Sequence, residues 1–330
     1  MPKMVRLAGF TFNDRASSIL VRESMDVLSD VLATLRLEST VFAHGELAKP
    51  WGIRTDAHED FSFHIVASGE CWLQVDELAP KKLCAGDVVI VSRHHGHAVR
   101  DDMKTRAMPL REFLTTGGFA SRAAPSGTGT KLVCGCFSLE GLPDDPLITS
   151  LPPVMHARAL VSEVGWLGET VKLLDRESSS VEPGAQTVVN RLCDALFVYV
   201  LRRLLAELPR DEKSWLAALI DPQVGPVLRS IHEKPAEPWT VADLASQAGM
   251  SRSAFAAHFA KVVGEAPIEY LIRWRLRKAA GMLRMGTAGI AEIAANVGYD
   301  SEAAFSKAFK RSIGVTPGAF RRGASENRAA

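Results

Sequence analysis

One pattern occurs twice within residues 240–323, and it constrains the fold of this 330-residue chain more than any other feature. A serine, two phenylalanines, a glycine and a proline recur at an interval of fifty residues, and each copy follows a turn glycine, Gly249 or Gly298. Before each copy, apolar residues at i, i+3 and i+4 mark one face of a helix. The pattern therefore predicts a helix, a glycine turn and a second helix in each copy. The repeated pairs are Ser251 and Ser301, Phe255 and Phe305, Phe259 and Phe309, Gly264 and Gly314, and Pro267 and Pro317.

Two helices joined by a tight turn form a helix-turn-helix, whose second helix can enter the major groove of DNA. Ser251 and Ser301 stand where the N-cap of that second helix is expected, and the paired phenylalanines give it one apolar face. Residues 268–285 contain no proline and one glycine, so they predict a single connecting helix. Two recognition helices on such a spacer can enter consecutive major grooves if they lie roughly 34 Å apart.

The distribution of charge favours a nucleic-acid partner over the alternative, a helical repeat without such a role. Residues 236–323 hold 12 Lys and Arg against 7 Asp and Glu, a net charge of +5, whereas the whole chain carries +1. Positive charge is thus concentrated where phosphate binding is expected. Stacked repeats need about three or more copies, and only two are present. A purely architectural DNA-binding protein would carry strong positive charge, which the whole chain lacks.

This region resembles the DNA-binding domain of the AraC/XylS family of transcription regulators, in the stretches TVADLASQAGMSRSAFAAHFAKVVGEAPIEYLIRWRLRKAA and IAEIAANVGYDSEAAFSKAFKRSIGVTPGAFRR. The resemblance implies that residues early in each second helix contact bases. Alanine offers only apolar contact, so strong direct readout in the first copy would come from Arg252, and part of the specificity is expected to be indirect or carried by the second copy. The implied base-contact positions are Ser253, Ala256 and Ala257 in the first copy and Glu302, Ala303, Ser306 and Lys307 in the second.

Basic residues of both copies and of the spacer are expected to bind the phosphate backbone, which positions a protein on DNA. Among the base-contact positions, Glu302 can accept a hydrogen bond from a cytosine amino group, and Ser253, Ser306 and Lys307 also have polar side chains suited to base edges. The expected phosphate ligands are Arg252, Lys261, Arg273, Arg277, Lys307, Lys310 and Arg311.

The N-terminal part has a different sequence pattern, which predicts β-structure. Short runs rich in β-branched and aromatic residues, separated by Gly, Pro and Asp, extend from about residue 37 to 139. Such spacing indicates a small β-barrel or sandwich. Residues 19–36 predict an opening helix, and residues 103–130, with TTGGFASRAAPSGTGT, predict a mobile surface loop.

Residues 86–97 are similar to the second cupin motif, with Ser92 and His94 in place of the usual Pro and Gly. The first motif is degraded, since Asp56 and Ser62 occupy positions where a metal-binding cupin has His and Glu. The segments FHIVASGECWL, AGDVVIVSRHHGH, LVCGC and LPPV nevertheless resemble the cupin-type sensor domain of one branch of AraC regulators. The resemblance implies a cupin-like barrel without the standard set of metal ligands.

Four residues of this region could form a sensing site. Strand alternation places His64 on the same face as Ser62, and if that face points into the barrel His64 can approach His97. Cys134 and Cys136 also share one face of their strand. Two imidazoles and one or two thiolates suit Zn²⁺. A zinc or thiol-based sensing site and ordinary buried His and Cys side chains both remain open.

The segment between the barrel and the DNA-binding region predicts helices. Residues 160–174 predict one helix, and residues 186–208 predict another with a wide apolar stripe at helical spacing. This stripe could be buried within the chain or against the same helix of a second subunit, and a two-fold dimer would match paired operator half-sites.

The chain is therefore predicted to be an α+β protein of two domains, with an N-terminal cupin-like β-barrel and a C-terminal all-α domain that holds two helix-turn-helix units. The predicted boundaries are residues 1–150 for the sensor domain, 151–222 for a helical linker and dimerisation region, 223–323 for the DNA-binding domain and 324–330 for a disordered tail.

The predicted function is that of a sequence-specific, AraC-type transcription regulator that senses a small molecule, a metal or thiol redox state in its cupin domain. A cupin metalloenzyme fused to a DNA-binding domain is the alternative, disfavoured by Ser62 at the Glu position. The expected partners are double-stranded operator DNA, RNA polymerase, an effector and a second copy of the chain. The longest apolar run, residues 195–201, is far below the ~20 residues of a membrane span, which predicts a cytoplasmic protein without a membrane partner.

Overall fold

The computed structural model describes residues 26–125, 127–140, 145–158, 165–209, 214–286 and 288–329. Two β-sheets dominate the N-terminal half and helices make up the C-terminal part, so the predicted α+β fold of two domains is confirmed. The predicted opening helix is present as α1 (Val27–Thr34), capped by the Asp26 side chain, which accepts a hydrogen bond from the Leu28 backbone N–H. Residues 19–25 lie outside the described residues.

Two five-stranded sheets face each other in the N-terminal domain. One has the strand order β1-β9-β3-β6-β10, and the other has the order β5-β4-β7-β2-β8. Neighbouring strands are antiparallel except β2 and β8, which run parallel. The strands are β1 (Arg36–Leu47), β2 (Gly52–Thr55), β3 (Phe61–Ser68), β4 (Glu70–Val75), β5 (Lys81–Cys84), β6 (Asp87–Val91), β7 (His97–Arg100), β8 (Met108–Pro109), β9 (Thr130–Glu140) and β10 (Val154–Arg158).

Alternation along β3 divides its buried side chains between two cores. Phe61, Phe63 and Ile65 face the helices that cover the first sheet, whereas Val66 belongs to the cluster between the two sheets. Because successive side chains of a strand point to opposite faces, His64 lies on the inner face with Val66. The barrel interior is therefore the place where the predicted histidine pair can form.

The prediction of a mobile surface loop at residues 103–130 is wrong. This segment contains α2 (Leu110–Thr115) and α3 (Gly118–Ser121), and the ring of Phe113 is buried in the barrel core. Phe113 packs edge-on against Phe119 at 5.4 Å between ring centroids, and the Arg122 guanidinium lies over Phe113 at 5.2 Å. The Gly and Ser content suggested a loop, but burial of these aromatic rings stabilises an ordered cover.

The connecting region after residue 150 contributes a strand as well as the predicted helices. Strand β10 pairs with β6 at the edge of the first sheet and buries Met155 and Ala157, alternate residues on one face. A run of only five residues between prolines and a helix gave too weak a pattern for the sequence to separate it from a connection. The helices of the N-terminal domain and the connection that follow α3 are α4 (Pro146–Thr149), α5 (Gly165–Ser178), α6 (Ala185–Glu207) and α7 (Trp215–Ile220).

The apolar stripe of α6, a helix of 23 residues, is buried within the chain. Its side chains pack against β1, β10 and α5, and Phe197 lies against Phe61 and Phe137 of the first sheet. Of the two alternatives left open for this stripe, burial within the chain is therefore the one that the structure contains. Within the described ranges, no helix combines the length and apolar character that crossing a membrane requires.

The C-terminal domain consists of helices, as predicted. The connecting helix α11 has 19 residues and begins at Pro267, a residue type favoured in the first turn of a helix. The predicted disordered tail is wrong for residues 324–329, because the last helix continues through Ala329 in a segment without proline. The helices are α8 (Val224–Glu233), α9 (Val241–Gln247), α10 (Arg252–Val263), α11 (Pro267–Met285), α12 (Ile290–Asn296), α13 (Glu302–Ile313) and α14 (Pro317–Ala329).

The buried side chains of the helical domain divide into separate clusters. The first helix-turn-helix unit, α9 and α10, shares one continuous core with the outer face of the barrel and with α5 to α8. The second unit, α12 and α13, packs with the C-terminal half of α11 in a cluster of its own. Helix α11 joins both clusters: Tyr270, Leu271 and Trp274 belong to the first, and Leu276 begins the second.

Candidate nucleic-acid interface and barrel site

The two recognition helices, α10 and α13, are built in the same way. Ser251 and Ser301 cap them by accepting a hydrogen bond from the backbone N–H three residues on, at 3.3 and 3.2 Å. Two phenylalanines on each helix are fully buried, and residues 251–260 and 301–310 alternate between buried and exposed positions in the same order. The polar face of each helix therefore points away from the core.

The turns that precede the recognition helices also match. Gly249 and Gly298 adopt left-handed conformations with φ of 64° and 83°, which glycine accepts without a Cβ penalty. In each turn the next residue donates a backbone hydrogen bond to the alanine carbonyl five residues earlier, Met250 to Ala245 and Tyr299 to Ala294, both at 2.9 Å. This is the hydrogen-bond pattern of a Schellman helix end. The paired helix-turn-helix geometry predicted from the repeat is thus present.

Most predicted DNA contacts lie on the free faces of the recognition helices. In α10, Ala256 is half-buried, and in α13, Ser306 is half-buried. The positions that are exposed to solvent are Arg252, Ser253, Ala257, Lys261, Glu302, Ala303, Lys307, Lys310 and Arg311.

Two predicted phosphate ligands on α11 point elsewhere. Arg277 is 4% exposed and forms an ion pair with Asp145, so its assignment to phosphate is wrong. Arg273 is half-buried and ion-paired with Glu265, which also argues against a free phosphate ligand. Successive helical residues are rotated by about 100°, so basic residues at intervals of two cannot all face one partner. The sequence identified the charges but not the directions in which they point.

The ion pair between Arg277 and Asp145 joins the two domains. The Arg277 Nε lies 3.3 Å from the Asp145 Oδ2, and Asp145 is 1% exposed. Burial lowers the pKa of the Arg277 guanidinium, and the Asp145 charge opposes that shift. Asp145 also caps α4 by accepting a hydrogen bond from the Leu147 N–H at 3.0 Å. Removal of one partner from a buried charge pair of this kind is strongly destabilising.

A second buried polar group lies at the same domain boundary. The ring of His232 stacks on Trp274 at 3.7 Å between centroids, and its Nε2 lies 2.7 Å from the Tyr270 hydroxyl. On the other side, the Nδ1 of His232 lies 3.6 Å from the Asp30 carboxylate of α1. Burial lowers the pKa of His232, whereas Asp30 raises it. No local pattern in the sequence links these residues, since the interacting partners are far apart along the polypeptide.

In the barrel, hydrogen bonds join three buried side chains into one series: His64, His97 and Cys134. The Nε2 atoms of His64 and His97 are 2.8 Å apart, and the Nδ1 of His64 lies 3.1 Å from the Cys134 Sγ. The predicted approach of His64 to His97 is therefore confirmed. A hydrogen bond between two ring nitrogens requires one to donate and the other to accept. At any moment, therefore, only one of the two histidines donates its proton to the other.

The predicted zinc set is not assembled. Both ring nitrogens of His64 are already engaged, and Cys136 lies opposite Ser62 rather than opposite His64. Throughout the described residues, no group of three or more His, Cys, Asp or Glu side chains is arranged to hold a metal ion. His64, His97 and Cys134 are therefore joined by pairwise hydrogen bonds and do not converge on a common centre.

The side chains of His64, His97 and Cys134 are all held in their neutral forms. Burial lowers the pKa of His97 to about 4 and, together with the neighbouring His97, lowers the pKa of His64 well below its usual value. Burial also raises the pKa of the Cys134 thiol. Because the thiolate is the nucleophilic and oxidisable form, Cys134 is a poor candidate for rapid oxidation.

The depressed pKa of His97 predicts that acid destabilises the barrel. The folded pKa, about 4, lies below the unfolded value of about 6.5, so the unfolded chain binds more protons between these values and stability is lost as the pH falls. Full loss would amount to about 3 kcal/mol for this group. Urea unfolding at pH 7, 6 and 5 measures the change. His97→Gln is expected to flatten this dependence, and an unchanged slope in that variant would contradict the assignment.

Comparisons with known proteins agree with this architecture. Residues 26–206 match the family model described as cupin, and residues 244–323 match the model described as helix-turn-helix domain. A putative AraC-like transcription regulator of Streptomyces lividans is 36% identical over 299 residues, which cover 90% of this chain and 98% of that protein. The HTH-type transcriptional regulator AlkR of Acinetobacter baylyi is 31% identical over 304 residues, covering 90% and 99%.

Among solved structures, the DNA-binding domain of AdpA, in complex with a target DNA, is 30% identical and covers 32% of this chain and 96% of its own, with a TM-score of 0.32. The similarity to the curated regulators extends over both domains, the barrel as well as the paired helix-turn-helix units. The chain belongs to the AraC-like transcription regulators that carry a cupin domain ahead of the helix-turn-helix region.

Proposed function

We propose that this regulator binds its operator with both recognition helices, each in one of two consecutive major grooves on the same face of the DNA. The observation that carries the proposal is the matched pair α10 and α13, with equivalent caps, turns and exposed faces, joined by a single helix of 19 residues. At 1.5 Å per residue that helix is about 28 Å long, of the order of the 34 Å between consecutive grooves.

The exposed side chains suggest different tasks for the two helices. In α13, Glu302, Ser306 and Lys307 offer polar groups to base edges, and Glu302 suits a cytosine amino group. In α10, Ser253 and Arg252 are the polar candidates beside Ala256 and Ala257, which can contact thymine methyl groups. The second half of the operator would therefore carry more of the direct readout, and the first half more of the shape-dependent readout.

The remaining exposed cations would hold the phosphate backbone. Lys261 lies in the last turn of α10, and Lys310 and Arg311 lie in the last turn of α13. Phosphate contacts add affinity with little dependence on sequence, and each releases counterions when it forms.

Removal of one phosphate contact is expected to weaken binding and reduce its salt dependence. The probe is the operator that wild-type protein selects from random DNA, and the measurement is its Kd at several salt concentrations by gel shift or fluorescence anisotropy. For Lys310→Ala, the slope of log K against log[salt] should fall in magnitude by about 0.9, with about a tenfold loss of affinity at low salt.

Lys172→Ala provides the matched control, because Lys172 is an exposed lysine of the barrel domain that pairs with Glu169. It should leave the slope and affinity unchanged. Equal effects of both substitutions, or selection of no preferred sequence, would contradict the proposed binding mode.

In this proposal the cupin barrel senses the signal. The signal is a small molecule, a metal or the redox state of a thiol, and ligand screening distinguishes these three. A second copy of the chain would pack on the outward face of α6, where Val188 and Ala195 are exposed. RNA polymerase and the effector complete the set of partners, and the cytoplasm is the compartment in which they would meet. The curated relatives are transcription regulators, which favours this role over that of a cupin metalloenzyme.

A further inference from the structure

Arg275 connects both helix-turn-helix units through a single side chain. It lies on α11, and its guanidinium donates three hydrogen bonds to backbone carbonyls. The Nε donates to the Pro235 oxygen at 2.6 Å, and the Nη2 donates to the Glu237 oxygen at 2.8 Å. The Nη1 donates to the Gly298 oxygen at 3.2 Å. The first two acceptors precede the first unit, and the third is the turn glycine of the second unit.

The position of Arg275 along α11 coincides with the division between the two cores. Trp274 packs in the core shared by the barrel and the first unit, and Leu276 packs in the core of the second unit. The apolar clusters thus anchor each unit to a different half of α11. Apolar contacts are non-directional, whereas the planar guanidinium donates in fixed directions. Arg275 therefore adds directional contacts at the boundary between the two clusters.

The chain segments that Arg275 joins also touch each other. A Cβ placed on Gly298 would lie 2.7 Å from the Cα and carbonyl oxygen of Ala236, and 2.9 Å from the Nη2 of Arg275. The equivalent glycine of the first unit, Gly249, has open space around its Cβ position. The two turns thus differ in their surroundings although their backbones match. The segment before the first unit lies directly against the turn of the second.

We propose that Arg275 is a positioning residue that fixes the angle and separation of the two recognition helices, and with them the spacing of base pairs that the protein accepts between the two halves of its site. Arg275 is expected to contact no base, and it acts through the carbonyls of Pro235, Glu237 and Gly298. The inference rests on the proposed binding of both helices to consecutive grooves. In addition, a side chain that does not touch the DNA determines the number of base pairs accepted between the two halves of the operator, whereas the recognition helices determine the base sequence.

The test compares full-length wild type with Arg275→Gln and Arg275→Lys. The probes are the operator selected by wild-type protein, the same operator with one or two base pairs inserted between its halves, and versions with either half scrambled. Each inserted base pair moves one half by about 3.4 Å and rotates it by about 35°. Lys278→Gln is the control, since it removes one positive charge from the same helix.

Wild type and Lys278→Gln should lose about a hundredfold in affinity when a base pair is inserted. Arg275→Gln should bind the native spacing about tenfold more weakly, lose most of its preference for that spacing, and keep wild-type affinity for DNA with a single intact half. Arg275→Lys should behave similarly, because an ammonium cannot reproduce the three fixed donors. Circular dichroism of each variant verifies that the helices are formed.

The results separate this inference from the function on which it rests. If wild-type protein tolerates insertions or ignores one half, the two-groove binding mode is wrong and the role of Arg275 falls with it. If wild type discriminates spacing and Arg275→Gln discriminates equally well, the binding mode stands and the positioning role is wrong. Equal weakening of native, inserted and half-site DNA would make Arg275 a structural or phosphate-binding residue and would also overturn the inference.

Discussion

Asp145→Ala is expected to lower the free energy of unfolding by about 3–5 kcal/mol, because it removes one partner of a buried charge pair. Arg277 is 4% exposed, so water cannot replace the lost carboxylate without opening the contact between the domains. The substitution also removes the cap of α4. Urea unfolding followed by tryptophan fluorescence measures the loss, since Trp215 and Trp274 lie in the core at this boundary.

Two further variants isolate the cause. Glu169→Ala breaks an exposed ion pair with Lys172 and should change stability by less than about 1 kcal/mol. Asp145→Ala combined with Arg277→Met removes both buried charges, and it should recover a large part of the stability lost in Asp145→Ala alone. If the double variant is as unstable as the single one, the loss arises from the cap or from packing rather than from the broken charge pair.

Gly298→Ala is expected to destabilise the protein by about 2 kcal/mol more than Gly249→Ala, although the two glycines occupy equivalent turns. Both have positive φ, so each substitution incurs the cost of a left-handed alanine, about 1–2 kcal/mol. At Gly298 the new methyl group would also overlap the backbone of Ala236, and a backbone atom cannot move aside cheaply. Chemical denaturation of the two variants, side by side with wild type, gives the difference.

The same pair distinguishes a strained turn from a disturbed contact between units. Gly249→Ala should keep the native preference for operator spacing, whereas Gly298→Ala should weaken it together with stability, because Ala236 and Arg275 border the added methyl group. Equal losses of stability in both variants would show that the close approach at Gly298 contributes little.

Local patterns in the sequence were sufficient to predict the helix-turn-helix units. Ser251 and Ser301 cap helices through neighbours three residues away, and the phenylalanine pairs follow the period of one helix. Alternation likewise put His64 on a strand face from which it could approach His97 if that face pointed into the barrel, and the structure contains this contact at 2.8 Å. These predictions succeeded because the interacting residues are close together in the sequence or follow the simple period of a helix or a strand.

The direction in which each charge points could not be predicted in the same way. Arg277 and its neighbours on α11 form one basic series in the sequence, yet Arg277 meets Asp145 and Arg275 meets the carbonyls of Pro235, Glu237 and Gly298. These partners become neighbours only after the domains pack together. The order found at residues 110–121 has the same origin, since Phe113 and Phe119 gain their helical setting from the barrel core.

The division of the buried side chains into separate clusters does not leave the far end of α11 without a link to the N-terminal domain. The first half of α11 lies in the core shared with the barrel, and near its other end Arg284 donates a hydrogen bond to the Thr34 carbonyl of α1 at 2.8 Å. Helix α1 therefore contacts the part of α11 that packs with the second unit. A displacement of α1 would reach that unit through Arg284 without first moving α10.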